Sequence, residues 1–450
     1  MTPPPPAPGA ASEVDWHGRV WRIAWPTILS NLTQPVVGAV DTGVAGHLPG
    51  PEYLGGVGVA ALIFGFVFWA FGFLRLSTTG YIAQALGRED AEGLKAVLLR
   101  ALVLAGIIAL FLLMLQGLIA WGSLALIQAS PEVSHQARLY FDIRIWAAPA
   151  VMGNYIVLGA LIGMQRAGWA LVTQAVIAGA NVVLDLLFVV GFGWEVEGLA
   201  AATVIAEVMG LLVGVVVLLR VLPGGWRTWP WTGARDLPAY RPLLALNRDL
   251  FIRTVCLNLS FALFVGLSAR ISDVVLAANE VLMMFLNIAS CGLDGFANAC
   301  EAIVGEATGR RRRDHLKRAV FAATLWAGLL AAVASLAFAL LGPWMIAAMT
   351  DLPEVRAVAG QYLPWVVLLP LIAVWSFLLD GIFIGATRGR DMRNAMLAML
   401  LVYVPVALVL WQVMGNHGLW LAIYVMMALR ALTLLARWPA LLRDVAPAAD

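Results

Sequence analysis

The chain has 450 residues, of which 62% are hydrophobic and 12% charged, and its formal net charge is +2. A soluble domain carries about a quarter of its residues as Asp, Glu, Lys or Arg, and the mean hydropathy here is +0.87, so a soluble protein is excluded. Apolar runs of roughly 20 residues indicate membrane helices rather than the alternating strands of an outer-membrane barrel, and no basic face interleaved with aromatics invites nucleic acid.

Residues 1–17 open the chain with a Pro- and Ala-rich stretch that reads as a disordered cytoplasmic tail. It lacks a basic start followed by a short apolar core, so no cleavable signal peptide is expected. The first helix is expected over about 20–46. It contains Pro26 and Pro35, which remove backbone donors and are potential kinks, and one acid, Asp41, inside the apolar run. A carboxylate in hydrocarbon is costly, so Asp41 should face a protein interior or a wet cavity.

Five more helices are expected at about 54–76, 97–121, 139–163, 169–191 and 198–222, which makes 18–222 an N-terminal six-helix lobe. Residues 223–246, rich in Pro, Gly, Trp and Arg, read as a cytoplasmic linker between lobes. The second six, at about 247–270, 276–304, 319–341, 358–386, 395–414 and 419–437, form a C-terminal lobe over 247–440. Residues 441–450 are a second cytoplasmic tail. The fold class is thus an all-α integral membrane protein of twelve helices in two six-helix bundles.

Basic residues set the orientation. With both termini inside, Arg88, Lys95, Arg166, Arg227 to Arg248, Arg310 to Arg318, Arg388 to Arg393, Arg437 and Arg443 fall on cytoplasmic connections, leaving Arg138, Arg144, Arg270 and Arg356 opposite. The run Arg310 to Arg313 is a topology determinant near anionic membrane lipid. Three cysteines, Cys256, Cys291 and Cys300, sit in apolar runs without CxxC spacing and serve packing.

The two halves repeat in register. Gly87-Arg88 and Lys95 match Gly309-Arg310 and Lys317 at an offset of 222, as do Pro131-Glu132-Val133 and Pro353-Glu354-Val355. Tyr140 and Tyr362, Gly159 and Gly381, Gly163 and Gly385, and Arg166 and Arg388 keep the same offset. An offset of six helices makes the repeats parallel in topology, related by an axis along the membrane normal. Two such bundles leave a central cleft suited to alternating access.

Buried polar residues then sort by lobe. In the first lobe they are Gln34 and Asp41, Asn154, Asn181 and Asp185, and Thr203 and Glu207. Asn181 and Asp185 are four apart and share a helix face. Two carboxylates with amide and hydroxyl oxygens suit a small alkali cation, Na+ at Asp41, Asn181, Asp185 and Thr203, or a proton shared between acids that cannot both ionise cheaply. The alternative is that these groups only join neighbouring helices. At the offset of 222, Asp41 falls on Leu263, Asp185 on Ala407 and Asn181 on Tyr403, so the acid set belongs to the N-terminal lobe alone. The second lobe has Glu280, Asp294, Glu301 and Asp380, with Arg253 as a partner for one of them. Structural ion pairing is the favoured reading there.

The segment Trp25-Pro26-Thr27-Ile28-Leu29-Ser30-Asn31 leading to Val40-Asp41-Thr42 resembles the first helix of multidrug and toxic compound extrusion (MATE) transporters. Leu293-Asp294-Gly295-Phe296-Ala297 and the stretch Leu379 to Arg388 look like the DinF-like branch, and the resemblance spans about 18–440. It implies two pseudo-symmetric bundles and a multi-pass protein of the bacterial inner membrane. Its activity would be efflux of organic, often cationic or lipophilic drugs or toxic metabolites, driven by inward flow of H+ or Na+, by a monomer needing no cofactor. The family's cation-site positions fall on Asp41, Asn181, Asp185 and Thr203, its cavity positions on Gln34 and Asn154, and its first-helix hinge on Pro26.

Two other readings compete. A flippase of lipid-linked precursors, from the same superfamily, would need a cationic cavity, whereas the N-lobe set is acidic. A membrane enzyme would need a nucleophile and its base, yet His17, His47, His135, His315 and His417 lie at helix ends or in loops without a Ser–His, His–Asp or HExxH set. The expectation is a transporter and not an enzyme.

Overall fold

The computed structural model describes residues 15–222, 225, 229, 233 and 235–445. Residues 1–14 and 446–450 of the expected tails and nine positions of the expected linker, Trp226, Arg227 and Trp231 among them, lie outside the described residues. Along the described chain run α1 (Trp16–Ala45), α2 (Pro51–Gly87), α3 (Ala91–Met114, continued by Gln116–Ile127), α4 (Pro131–Gly163), α5 (Ala167–Gly191) and α6 (Val196–Val221). The second half has α7 (Leu237–Ala269), α8 (Asp273–Gly309), α9 (Arg313–Met349), α10 (Pro353–Gly385), α11 (Gly389–Met414) and α12 (Asn416–Asp444). All but α1 contain an apolar window long enough to cross a membrane. Helix α1 has 30 residues, about 45 Å of helix, with its apolar face interrupted by Arg19, Arg22 and Asp41.

Several helices outrun the sequence expectation because their ends are charged, and backbone hydrogen bonding continues where hydrophobicity stops. Helix α8 extends the expected 276–304 to 37 residues, and α9 likewise has 37. The second half of the expected linker is the start of α7, which puts Arg253 well inside that helix instead of near its beginning. Side-chain caps fix the starts. Asp15 accepts from the Gly18 amide at 2.9 Å, Asp90 from that of Gly93 at 2.7 Å, and Ser272 from that of Val275 at 3.1 Å, each satisfying a donor the helix cannot.

The repeat is legible in the backbone itself. Glu89 and Arg311, 222 apart, both take left-handed φ values of 58° and 54°, and Gln165 and Thr387 do so at 59° and 54°. Each closes a tight turn in which the next amide reaches back over the helix end. Asp90 bonds Ala85 O at 3.0 Å as Arg312 bonds Ala307 O at 3.0 Å, and Arg166 bonds Leu161 O as Arg388 bonds Phe383 O. The helices pair alike too. Helix α2 packs on α4 as α8 does on α10, and α1 follows α5 as α7 follows α11.

The lobes join at the end bearing the basic connections. Gln84 donates to Gly385 O at 3.1 Å and Thr387 Oγ1 at 3.0 Å, and Arg19 pairs with Glu306, while Asn31 donates to Cys291 O at 3.2 Å midway along α1 and α8. Gly87 and Gly309, repeat equivalents, make reciprocal contacts at the basic end. A methyl on Gly87 would strike the Glu306 carbonyl, and one on Gly309 would strike that of Gln84. Towards the other end α1 is uncovered, with Val36, Gly38, Ala39 and Gly43 exposed. A cleft therefore runs between the lobes and closes at the basic end.

Candidate cation site and cleft

Three helices build the N-lobe cluster. Asp41 stands one turn before the end of α1, Asn181 and Asp185 share a face of α5, and Thr203 lies in α6. With its amide nitrogen turned towards the carboxylates, Asn181 donates to Asp185 Oδ2 at 3.1 Å and Asp41 Oδ1 at 3.1 Å, and its oxygen meets Thr203 Oγ1 at 3.2 Å. Acceptor-only carboxylates select that orientation. Thr203 Oγ1 also lies 3.0 Å from Leu199 O in its own helix. Asn181 and Asp185 are fully enclosed, whereas Asp41 is half-buried.

One atom tests whether this set could hold a cation. Asp185 Oδ1 is buried with no hydrogen-bond partner, a cost that a proton or a hard cation at the carboxylate would relieve. Two carboxylates, an amide and a hydroxyl fit a monovalent ion or a proton. Among the described residues no group of three His, Cys, Asp or Glu could hold a metal.

The neighbourhood holds a resident cation that the sequence reading missed. Arg144, expected on a connection, lies inside α4 at a break where Ile145–Ala147 form one 3-10 turn. Its guanidinium sits over the rings of Phe64 and Tyr140, at 5.2 Å and 5.5 Å, and bonds the Tyr140 hydroxyl. Its charge reaches Asp41, Asp185 and Glu207 together. Glu207 itself accepts from Asn154 at 2.8 Å. Asn154, expected to line the cavity, is instead buried behind Glu207, at 3% exposure. Gln34 is exposed, and Pro26 lies in an unbroken stretch of α1.

Backbone irregularity gathers around the cluster. Helix α2 breaks at 70–72, α4 at 145–147, and α5 passes from α-helix to a π-helix, Leu186–Gly191, directly after Asp185. Their equivalents at the offset of 222 lie within continuous helices α8, α10 and α11. Irregular backbone at membrane depth survives where it is enclosed by protein or lines a cavity, and π segments concentrate at functional sites.

The C-lobe residues form a different kind of group. Asp380 accepts from Arg253 and, at 2.8 Å, from Arg430, and all three are nearly closed to solvent. Asp294 is exposed on the face of α8 that also carries Glu301 and Asn298. There Arg75 of α2 reaches across the lobes, 3.1 Å from Asn298 Oδ1 and 3.6 Å from Glu301 Oε2. Glu280 is a correction: it is exposed and takes no part in this network. Arg75 and Arg430 were missed, although an arginine inside an apolar run is a visible signal of a buried pair.

The MatE family model matches residues 26–187 and 250–409, one stretch in each lobe. The chain belongs to the MatE family. It is 40% identical to DNA damage-inducible protein F of Escherichia coli (strain K12), over 93% of this chain and 91% of that protein. It is 27% identical to "Probable multidrug resistance protein NorM" of Mesorhizobium japonicum, with 92% of each covered. A solved outward-facing conformation of a multidrug resistance MATE transporter superposes with a TM-score of 0.85 at 20% identity, covering 95% of this chain and 97% of that one. The pseudo-symmetric twelve-helix architecture is thus the MATE fold, and this MatE chain is a multi-pass membrane protein.

Proposed function

We propose that the chain is a secondary efflux antiporter of the bacterial inner membrane, exporting organic, often cationic or lipophilic compounds in exchange for H+ or Na+. The observation that carries this is the convergence of Asp41, Asn181, Asp185 and Thr203 from three helices, with an unpartnered buried oxygen on Asp185. Three carboxylates against one guanidinium favour a cation there over the pyrophosphate of a lipid-linked precursor. The multidrug names of relatives support the substrate class. The concentration of basic residues at the closed end supports a cytoplasmic placing of both termini, so the cleft faces outward.

In this reading the Asn181 amide donates to both carboxylates when no metal ion is present. Turned by half a rotation it offers its oxygen to a bound cation, so one residue serves both states. Neutralising Asp41 and Asp185 weakens what holds the far end of α1 to α5 and α6. Helix α1 is then free to bend at Pro26, where the backbone already lacks one hydrogen bond, and to displace substrate from the N-lobe cavity. The deciding experiment is efflux of a fluorescent organic cation from proteoliposomes under separately imposed proton and sodium gradients. Uphill transport is expected under at least one gradient, and none under either would overturn the antiport reading.

A further inference from the structure

On the outer flank of the C-terminal lobe, α9 and α12 both pack on α10 and splay apart. They leave a groove of about 570 Å³ with α10 as its floor. Val320 and Thr324 form one wall, Leu432 and Leu435 the other, and Trp375 lies on the floor. Thr324 supplies the one hydroxyl in an otherwise hydrophobic and tryptophan lining. Trp375, Leu432 and Leu435 are 53%, 60% and 52% exposed, so the groove opens outward from the lobe. Trp438 marks its basic end.

The charges at that end are arranged along the same line. Arg313, Lys317, Val320 and Thr324 fall on one face of α9, the two basic residues leading into the groove. Both are exposed, and neither makes an ion pair among the described residues. On the opposite wall Arg437 precedes Trp438, its nearest acid Asp391 at 3.9 Å and its side chain 59% exposed.

The N-lobe shows that the fold does not require such a groove. At the offset of 222, Trp375 corresponds to Gly153 and Leu432 to Gly210, and both glycines are buried, beneath Leu211 and Ile177 respectively. Lys95, the equivalent of Lys317, is 1% exposed. In one lobe the position is filled by the chain's own side chains. In the other it is an open apolar trough with a cationic mouth.

We propose that this groove binds one anionic phospholipid from the leaflet at the basic end. An acyl chain lies along α10 between α9 and α12, and the phosphate meets Arg313, Lys317 and Arg437. An apolar trough selects a hydrocarbon chain, and clustered basic side chains beside it select an anionic headgroup over a zwitterionic one. The site is in the lobe opposite the Asp41–Asp185 cluster, so its occupancy is independent of the transport reading.

The test is native mass spectrometry of the full chain released from detergent with equal dioleoyl phosphatidylglycerol and dioleoyl phosphatidylcholine. One phosphatidylglycerol is expected to be retained in preference. Lys317→Gln should lower that preference about fivefold, the effect of roughly one basic residue near an anionic surface. Arg311→Gln, in the turn that precedes α9, should leave it unchanged. Ala428→Trp or Thr324→Trp, each filling the trough, should remove the retained lipid, and either one that yields folded protein suffices. Equal retention of the two lipids overturns the proposal, as does a preference that survives both Lys317→Gln and a filling variant. An equal loss in Arg311→Gln also overturns it, by reducing the effect to a general basic cluster. A dimer that dissociates on filling the trough does so too, by assigning the groove to a second copy.

Discussion

Asp380 and Asp185 are both buried acids, and their surroundings give them opposite expectations. Asp380 is clamped by Arg253 and Arg430, so removing it strands two guanidiniums in a low-dielectric interior. Asp380→Ala should destabilise the protein by about 3–5 kcal/mol, while replacing the triad with Met, Leu and Met should be nearly neutral. Thermal melts in detergent measure both, and an unshifted Asp380→Ala melt would remove the structural role. Asp41 has no such clamp; Asn181 holds it by one 3.1 Å bond. Asp41→Asn keeps shape and removes charge, so gradient-driven efflux should be lost with the melting temperature unchanged. Normal uphill efflux by that variant would sink the coupling role. Arg144 acts with the opposite sign: its charge competes with any cation at the cluster. Arg144→Gln should tighten the coupling ion by about tenfold, the effect of removing one charge at intermediate effective dielectric. A half-saturating ion concentration that stays constant or rises would contradict it.

At the scale of elements, α1 and α2 are both held by the two lobes, and α1 is the one of them that carries Asp41. Its first half carries the Asn31 bond to α8 and the edge contacts of Trp21 with Phe296 and Trp326. Its far half carries Asp41 to α5. A helix so divided transmits a change at its far end only if it bends or pulls away; Pro35 is a weak point between the two holds, and Pro26 lies within the held part, so bending there also loosens the Asn31 bond. Helices α2 and α8 meet through Gly87 and Gly309, where no side-chain carbon fits. Gly309→Ala should cost the closed contact about 1–3 kcal/mol through overpacking, a shift of roughly 5- to 150-fold in population. Distances between spin labels across the basic end should lengthen in that variant. An unchanged distribution would show that the glycines are not the closing contact.

For the molecule as a whole, the lobes touch at one end and part at the other, so alternating access requires those contacts to break. Gln84 and Thr387 face each other across the interface at 3.0 Å. A Gln84→Cys, Thr387→Cys pair, joined by oxidation, should stop transport and regain it on reduction. Undiminished transport by the cross-linked protein would exclude rocking of the lobes about this contact. The same interface explains what sequence reasoning could reach. The repeat was readable because Gly87 and Gly309, or Gly163 and Gly385, answer to one backbone geometry in each lobe, and duplicated geometry preserves the residues that permit it. Arg75 was not reached, since its partners Asn298 and Glu301 belong to the other lobe.

The sequence by itself determined that the chain crosses a membrane, that it is a duplicated six-helix unit, and that Asp41, Asn181, Asp185 and Thr203 are the residues to watch. The reason is energetic: hydrocarbon makes every polar residue in an apolar run conspicuous. Tertiary structure alone decided what each of those residues faces. It drew Arg144 off its expected connection to a break in α4, put Asn154 behind Glu207, left Glu280 out of the C-lobe network and locked Asp380 between two arginines. Burial and partnership depend on how helices rotate and where they break, and helical periodicity fixes neither when every face is apolar.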